Sequence, residues 1–209
     1  MNIIILGPQG SGKGTQARLL SEKFGLYCFS MGDLVRALGE KNPGLKKELT
    51  RGTLIPDDEG FNYVREHFEE KKIFNNIIFD GFPRSMGQYK LLSSWLKEKG
   101  FGLDLALIIN ISESETIKRL SARRMDPETG TIYNLITNPP PSGVSADRLV
   151  VREDDKPDAI RKRLGWYRSV VVPMIENMKK EIAVYEVDGE RPIEVILNDL
   201  EKIVAGHGE

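Results

Sequence analysis

Residues 7–15 read Gly-Pro-Gln-Gly-Ser-Gly-Lys-Gly-Thr. Gly7 through Lys13 meet the G-x-x-x-x-G-K spacing. In that spacing the glycines let the backbone curl until its N–H groups point inward at an anion. A helix following the loop adds the positive end of its dipole. Lys13 adds a cation long enough to reach the β- and γ-phosphates of a nucleoside triphosphate. The spacing alone can arise by chance, but its context argues for more. The loop leaves a short apolar run at 3–6 and opens a helical pattern at 13–24. Gly14 stands where the commonest form of the motif has a Ser or Thr that ligates Mg²⁺ directly. With the hydroxyl displaced to Thr15, a Mg²⁺ ion arriving with ATP is expected to be held mainly through water.

Working outward, four further apolar runs bounded by polar, Gly or Pro residues read as buried strands: 27–29, 77–79, 105–109 and 183–187. Helical patterns at 13–24, 88–99, 113–124, 158–180 and 192–204 alternate with them. Gly25 and Gly100 follow two of these as C-terminal stops. Ser112-x-x-Glu115 offers a capping box to a third. Strand–helix alternation predicts an α/β, P-loop three-layer fold around a five-stranded parallel sheet. Two stretches break the alternation. Residues 31–70 show helical pieces punctuated by Pro43, Gly44, Gly52 and Pro56, with no strand. Residues 125–157 carry Asp126-Pro127-Glu128-Thr129-Gly130 and Asn138-Pro139-Pro140-Pro141, too long for an ordinary connection and expected to form a functional lobe.

The run Asn76-Ile-Ile-Phe-Asp80 ends in a carboxylate at the C-terminal edge of a predicted strand, where open α/β sheets bind ligands. Asp80 could anchor the water shell of Mg²⁺. Gly81 and Pro83 would turn the chain and aim Arg84 back at the site. Further arginines follow at 119, 123, 124, 152, 161 and 163. On a continuous helix Arg119 and Arg123 share a face, while Arg124 points about 100° away. Arg161 and Arg163 lie two apart, so only one can face a given site. Such a set of guanidinium groups suits a phosphoryl group whose oxygens gather negative charge during transfer.

Composition narrows the partners. The chain has 209 residues, 40% hydrophobic and 29% charged, with a formal net charge of −1. That fits one globular unit with small inserted lobes and provides no overall basic field for nucleic acid. Cys28 is the single cysteine, so neither an intramolecular disulfide nor a cysteine-rich zinc site can form. His67 and His207 are far apart in sequence, so no histidine metal site is expected. No apolar stretch approaches the ~20 residues of a membrane span. A cytoplasmic monomer without membrane or nucleic-acid partners is expected. Trp95 and Trp166 are expected to pack helices rather than stack on bases.

Taken together, these residues resemble the adenylate kinases, a branch of the nucleoside monophosphate kinases, over nearly the whole chain. The resemblance rests on Gly12-Lys-Gly-Thr15, Asp80-Gly-Phe-Pro-Arg84 with Gln88 following, and Gly32-Asp33-x-x-Arg36. It rests also on Gly130-x-x-Tyr133, Asn138-Pro139-Pro140, Arg152-x-Asp154-Asp155, Arg161-x-Arg163 and Val187-Asp188-Gly189. It implies transfer of the terminal phosphoryl group of Mg·ATP to AMP, giving two ADP. Lys13, Arg84, Arg123, Arg152 and Arg163 would be catalytic, with Asp154 positioning arginines. Gly10, Ser11, Gly12, Lys13, Gly14, Thr15, Arg119, Arg123, Tyr133 and Arg191 would bind ATP. Met31, Arg36, Leu54, Ile55, Gly81, Arg84, Gln88, Arg152 and Arg163 would bind AMP. Asp80 would serve Mg²⁺ through water. A core of 1–29, 60–121 and 158–209 would carry an AMP-binding lobe at 30–59 and a lid at 122–157.

Two departures from the family pattern matter. Met31 stands where a small hydroxyl residue is usual, and Thr53 where lysine is frequent, so a UMP or CMP kinase stays open beside AMP. A P-loop NTPase without an acceptor is the remaining alternative. The lid has no cysteine, so a four-cysteine zinc knuckle is excluded. Asp126 and Thr129 could supply part of a polar network in its place.

Overall fold

The computed structural model describes residues 1–41 and 55–207. The expectations placed on Leu54 and Thr53, and on the breaks at Pro43, Gly44 and Gly52, lie outside the described residues. The elements run β1 Asn2–Leu6, α1 Lys13–Phe24, β2 Tyr27–Ser30, α2 Met31–Lys41, α3 Asp57–Lys71, β3 Ile77–Asp80, α4 Met86–Glu98 and β4 Leu105–Asn110. There follow α5 Glu113–Ala122, β5 Arg123–Met125, β6 Ile132–Asn134, α6 Pro157–Trp166, a π turn Tyr167–Val171, α7 Val172–Met178, β7 Ala183–Asp188 and α8 Ile193–Ala205.

Five parallel strands form the expected sheet in the order β2-β3-β1-β4-β7. Because β1 and β4 are apolar throughout their buried length, both faces must be covered. Ile4, Leu6, Phe79 and Ile108 on one face meet Phe68 of α3, Leu92 of α4 and Met174 and Ile175 of α7. Ile3, Ile5, Leu107 and Ile109 on the other meet Leu20 of α1 and Ile196 and Leu200 of α8. Ile3, Ile4 and Ile5 are fully buried. Truncating any of them to Ala would cost ~2–5 kcal/mol. From β1 the chain crosses toward β2 and β3 on one side, then returns past β1 to β4. The C-terminal end of β1 therefore sits where strand order reverses, the place such sheets use for ligands.

Three element readings need correction. The helix expected over 113–124 ends at Ala122, because Arg123 turns extended (φ −71, ψ 136) and pairs with Asn134 in the β5–β6 hairpin. Arg119 and Arg123 thus do not share a helix face. The capping box is half made: Ser112 Oγ accepts from the Glu115 amide at 3.2 Å. The Glu115 carboxylate instead pairs with Arg119 at 2.7 Å, and the Ser112 amide donates to Glu190 Oε1 at 2.8 Å. The single helix expected over 158–180 is interrupted by the π turn, in which Val172 N–H donates to Tyr167 O, five residues back. Pro173 follows directly, and its missing N–H and bulky ring disfavour a regular α turn there.

The segment after α5 is ordered by polar contacts. Asp126 is buried; its carboxylate accepts from Arg148 Nη2 at 2.5 Å and from the Glu128 amide at 3.0 Å. Arg148 also reaches Glu128 at 2.8 Å, and Thr129 Oγ1 donates to Thr131 Oγ1 at 2.8 Å. A network of side chains thus does the cross-linking here, with Arg148 as the member the sequence reading did not name. Among the described residues, no helix is long and apolar enough to cross a membrane.

Candidate active site

The glycine loop joins β1 to α1 at the reversal point. Gly10 (φ 80) and Gly12 (φ 88) adopt left-handed conformations that a side chain would resist. Gln16 Nε2 donates to Ile193 O at 3.0 Å, tying the first turn of α1 to the start of α8. Lys13 folds back over the loop, its Nζ 3.4 Å from Pro8 O. A cavity of about 40 Å³ opens beside it, lined by Gln9, Lys13, Arg84, Arg163, Trp166 and Tyr167 among others. Trp166 therefore does more than pack a helix: it also walls this cavity.

Asp80 ends β3 and lies in register with Ile5 of β1 and Ser30 of β2. A Cβ added to Gly14 would stand 3.1 Å from Asp80 Oδ2. A side chain at position 14 would therefore press on the Asp80 carboxylate. Arg84 is aimed as the sequence suggested, its Nε donating to Gly81 O at 2.6 Å. Burial lowers the Lys13 pKa to about 8; Asp80 pulls it back up, and Arg84, Arg163 and Arg123 push it further down. Burial raises the Asp80 pKa, against the pull of Lys13 and Arg84. Asp80 Oδ1 is buried without a hydrogen-bond partner among the described residues, as are Gln9 Oε1 and Ser11 Oγ.

The other cations come from residues 123–163. Arg123 grips Asp155 with two bonds, Nε to Oδ2 at 2.8 Å and Nη2 to Oδ1 at 2.5 Å. Arg152 grips Asp154 with two more, at 3.0 and 2.9 Å. Arg163 Nη1 donates to Asp154 Oδ2 at 2.7 Å and to its backbone oxygen at 3.2 Å. Burial lowers the Arg163 pKa to about 10, opposed by Asp154. For Asp154 burial works against ionisation, but Arg163, Arg152 and Arg123 outweigh it and hold the carboxyl below its usual range. Arg36 is paired with Asp33, and its charge reaches Arg84 and Arg152. A larger crevice, about 310 Å³, lies at the ends of β4 and β7. Its charged lining is Glu186, Asp188 and Glu190, which would repel phosphate.

On the side of α2 and α3, Met31, Ile55 and Gln88 surround Gly60. Gln88 Oε1 accepts from the Arg84 backbone N–H at 2.8 Å, which holds the side-chain amide in place. At the other end Arg119 reaches Gly10 O at 3.3 Å.

A sequence profile described as adenylate kinase matches residues 5–183. The chain is 35% identical to an adenylate kinase of Archaeoglobus fulgidus, over 98% of each chain. It is 35% identical to one of Chloroherpeton thalassium, again over 98% of each. With one of Thermosipho africanus the figure is 36%, over 98% of this chain and 99% of the relative. The chain belongs to the adenylate kinase family. It is a nucleoside monophosphate kinase, a phosphotransferase.

Within this adenylate kinase fold, Lys13, Asp80, Arg84, Arg123, Arg152, Asp154 and Arg163 are brought within electrostatic reach of one another. Arg119 meets the glycine loop. Tyr133 lies in β6 opposite Arg124, whose own guanidinium caps the carbonyls of Ser121 and Arg123. Arg191 does not turn toward the loop: it pairs with Asp199 at 2.8 Å and with Asp188 O at 3.1 Å. Arg161 is exposed and pairs with Asp158, so Arg163 is the one that faces the cluster. Sequence reasoning missed Asp155 and Gln9. Asp155 stood in the quoted Arg152-x-Asp154-Asp155 run, and a second carboxylate beside the first was the available signal. Nothing in the spacing marked Gln9.

Proposed function

We propose that the protein transfers the terminal phosphoryl group of Mg·ATP to AMP, reversibly, giving two ADP. The observation that carries this reading is the gathering of five cations, Lys13, Arg84, Arg123, Arg152 and Arg163, at the C-terminal edge of the sheet. Loop residues 10–15 would hold the ATP phosphates, with Lys13 on the β- and γ-oxygens. Arg119, beside Gly10, would lie against the ATP base, with Tyr133 and Arg191 at the outer edge. Arg36 and Arg84 would hold the acceptor's phosphate, and Met31, Ile55 and Gln88 its base. Leu54 completes that assignment.

An acceptor phosphate oxygen attacks the γ-phosphorus, and the bond from that phosphorus to the β,γ-bridging oxygen breaks. The attacking oxygen is already anionic, so no base has to remove a proton. Arg123, Arg152 and Arg163 would stabilise charge on the transferring group, held in place by Asp155 and Asp154. The buried, unpaired Asp80 Oδ1 fits the waters of a hydrated Mg²⁺ better than a direct ligand set, since one carboxylate suffices for an ion carried by nucleotide phosphates. When bound, the ion would neutralise phosphate charge. Closure of a lid at 122–157 and a lobe at 30–59 over a core of 1–29, 60–121 and 158–209 would exclude water. We place the enzyme in the cytoplasm as a monomer, with ATP and AMP as its partners.

Met31 is buried where it would face the acceptor base, so a panel of AMP, UMP and CMP with Mg·ATP is the direct test. ADP formation from AMP at the highest kcat/KM supports the proposal; faster turnover of UMP or CMP replaces it. Arg84→Ala sharpens the assignment. The KM for AMP should rise ~100-fold, as expected for a charged hydrogen bond to phosphate. The KM for ATP should change little. Equal losses for both nucleotides would remove Arg84 from the acceptor's phosphate.

A further inference from the structure

The residues that follow α5 do not by themselves end it. Ala122, Arg123, Arg124 and Met125 are all strong helix formers, with neither Gly nor Pro among them. Yet Arg123 is extended, and its N–H donates to Leu120 O, three residues back. In a continued helix that N–H would take Arg119 O, four residues back. The oxygen is already occupied: Asn134 Nδ2, from β6, donates to it at 3.0 Å. The orientation of this amide is fixed, because Asn134 Oδ1 accepts from the Ile136 N–H at 2.9 Å and from the Thr137 N–H at 3.1 Å. Two donors facing one end leave only the NH₂ for the carbonyl. The backbone of Asn134 is pinned as well, exchanging two hydrogen bonds of 2.9 Å with Asn138. Nearby, the Leu135 N–H donates to Ala122 O at 3.0 Å, and Arg124 Nη1 to Ser121 O at 2.9 Å. The carbonyls from Arg119 to Ala122 are therefore satisfied without another α turn.

We infer that Asn134 is a positioning residue for Arg123: its side-chain amide holds the carbonyl that would draw the chain into another helical turn, and so keeps Arg123 at the exit from which it reaches Asp155. The inference rests on the proposed role of Arg123 at the transferring group. Arg123 and Asn134 stand opposite each other in the β5–β6 hairpin. One more helical residue would swing the Arg123 side chain by about 100°, away from the two bonds it makes with Asp155. Arg119 is held separately, by Glu115 at 2.7 Å and by Gly10 O at 3.3 Å. Loss of the Asn134 donor therefore acts on Arg123 far more than on the contact with the glycine loop.

The test is Asn134→Asp, alone and combined with Arg123→Ala. The substitution keeps the size of the side chain and an oxygen for the Ile136 and Thr137 N–H groups, but puts a second oxygen where the donor to Arg119 O stood. Steady-state kcat should fall ~10–100-fold, the scale of a displaced catalytic group. The KM values for ATP and AMP should stay within about threefold of the parent. In the Arg123→Ala background the same change should cost about twofold or less, because the residue it positions is gone. Backbone ¹³Cα shifts of Arg123 and Arg124 should move from extended toward helical values, which reads the exit directly and without reference to activity. Equal losses of kcat in both backgrounds, a kcat for Asn134→Asp close to the parent's, or ¹³Cα shifts that do not move toward helical values overturn the inference and leave Arg123 its role. A near-normal kcat for Arg123→Ala alone overturns both.

Discussion

Around the glycine loop and the end of β3, polar atoms are buried without partners among the described residues: Gln9 Oε1, Ser11 Oγ and Asp80 Oδ1. There Lys13 has only a 3.4 Å backbone contact and a pKa lowered to about 8. Along residues 123–163 the reverse holds. Arg123 and Arg152 are each held by two bonds from one carboxylate, and Arg163 shares Asp154. The first region stores unmet demand for an anion and its accompanying cation. The second stores geometry, with guanidinium planes already oriented before any ligand arrives. A phosphotransferase needs both, because affinity without orientation stabilises substrate and transition state equally.

The comparison breaks first at Lys13. Lys13→Met keeps the length of the side chain and removes its charge from the unsatisfied region. We expect kcat/KM for ATP to fall by ~10³ or more, with circular dichroism unchanged. A loss under tenfold would mean that the loop's N–H groups alone hold the phosphates.

In the oriented region the corresponding change is Asp154→Asn. Both arginines keep their charge, but one of the two oxygens that fix them becomes an NH₂ and the negative charge between them is lost. Small misplacements of catalytic groups cost ~100-fold, so kcat should drop by that order while the KM for ATP moves little. If kcat were to stay near normal, orientation by Asp154 would have no part in catalysis. If the KM for ATP rose as much as kcat fell, the arginines would be acting as plain affinity groups, and the two regions would not differ in kind.

How far these regions could be read from the chain follows the same division. The loop, Asp80 and Arg84 sit on short-range signals: glycines at fixed spacing, an apolar run ending in a carboxylate, and a Gly-Phe-Pro turn. Those signals survive folding because β1 and β3 are buried on both faces and allow no other register. The arginine segment depends on pairings that spacing does not encode. Helical periodicity continues through Arg124, yet the chain leaves the helix at Arg123 because β5 pairs with β6. That exit is what lets Arg123 meet Asp155, 32 residues on. Arg191 likewise pairs with Asp199, eight residues on in α8, a partner that the spacing of the chain did not announce.

The smallest expected effect uses pH to separate the two regions. Burial depresses Lys13 to about 8 from the ordinary 10.5, whereas Arg163, though also lowered, stays at about 10. Raising pH through 8 therefore discharges the unsatisfied region first. Above neutrality ATP is fully ionised, so kcat/KM for ATP should be flat near pH 7 and fall up to about tenfold per pH unit beyond 8. Bound polyphosphate favours the ammonium, so the fall in kcat at saturating nucleotide should lie at higher pH than the fall in kcat/KM. Stability moves the other way. Between about 8 and 10.5 the unfolded chain holds more protons at this lysine than the folded one, and its contribution to stability rises with pH over that window. Activity lost while melting temperature holds is thus the expected pattern. In Lys13→Arg the alkaline fall beginning near pH 8 should disappear, because guanidinium does not titrate there. An identical alkaline limb in that variant would assign the titration to another group and end the case for a partly discharged loop lysine.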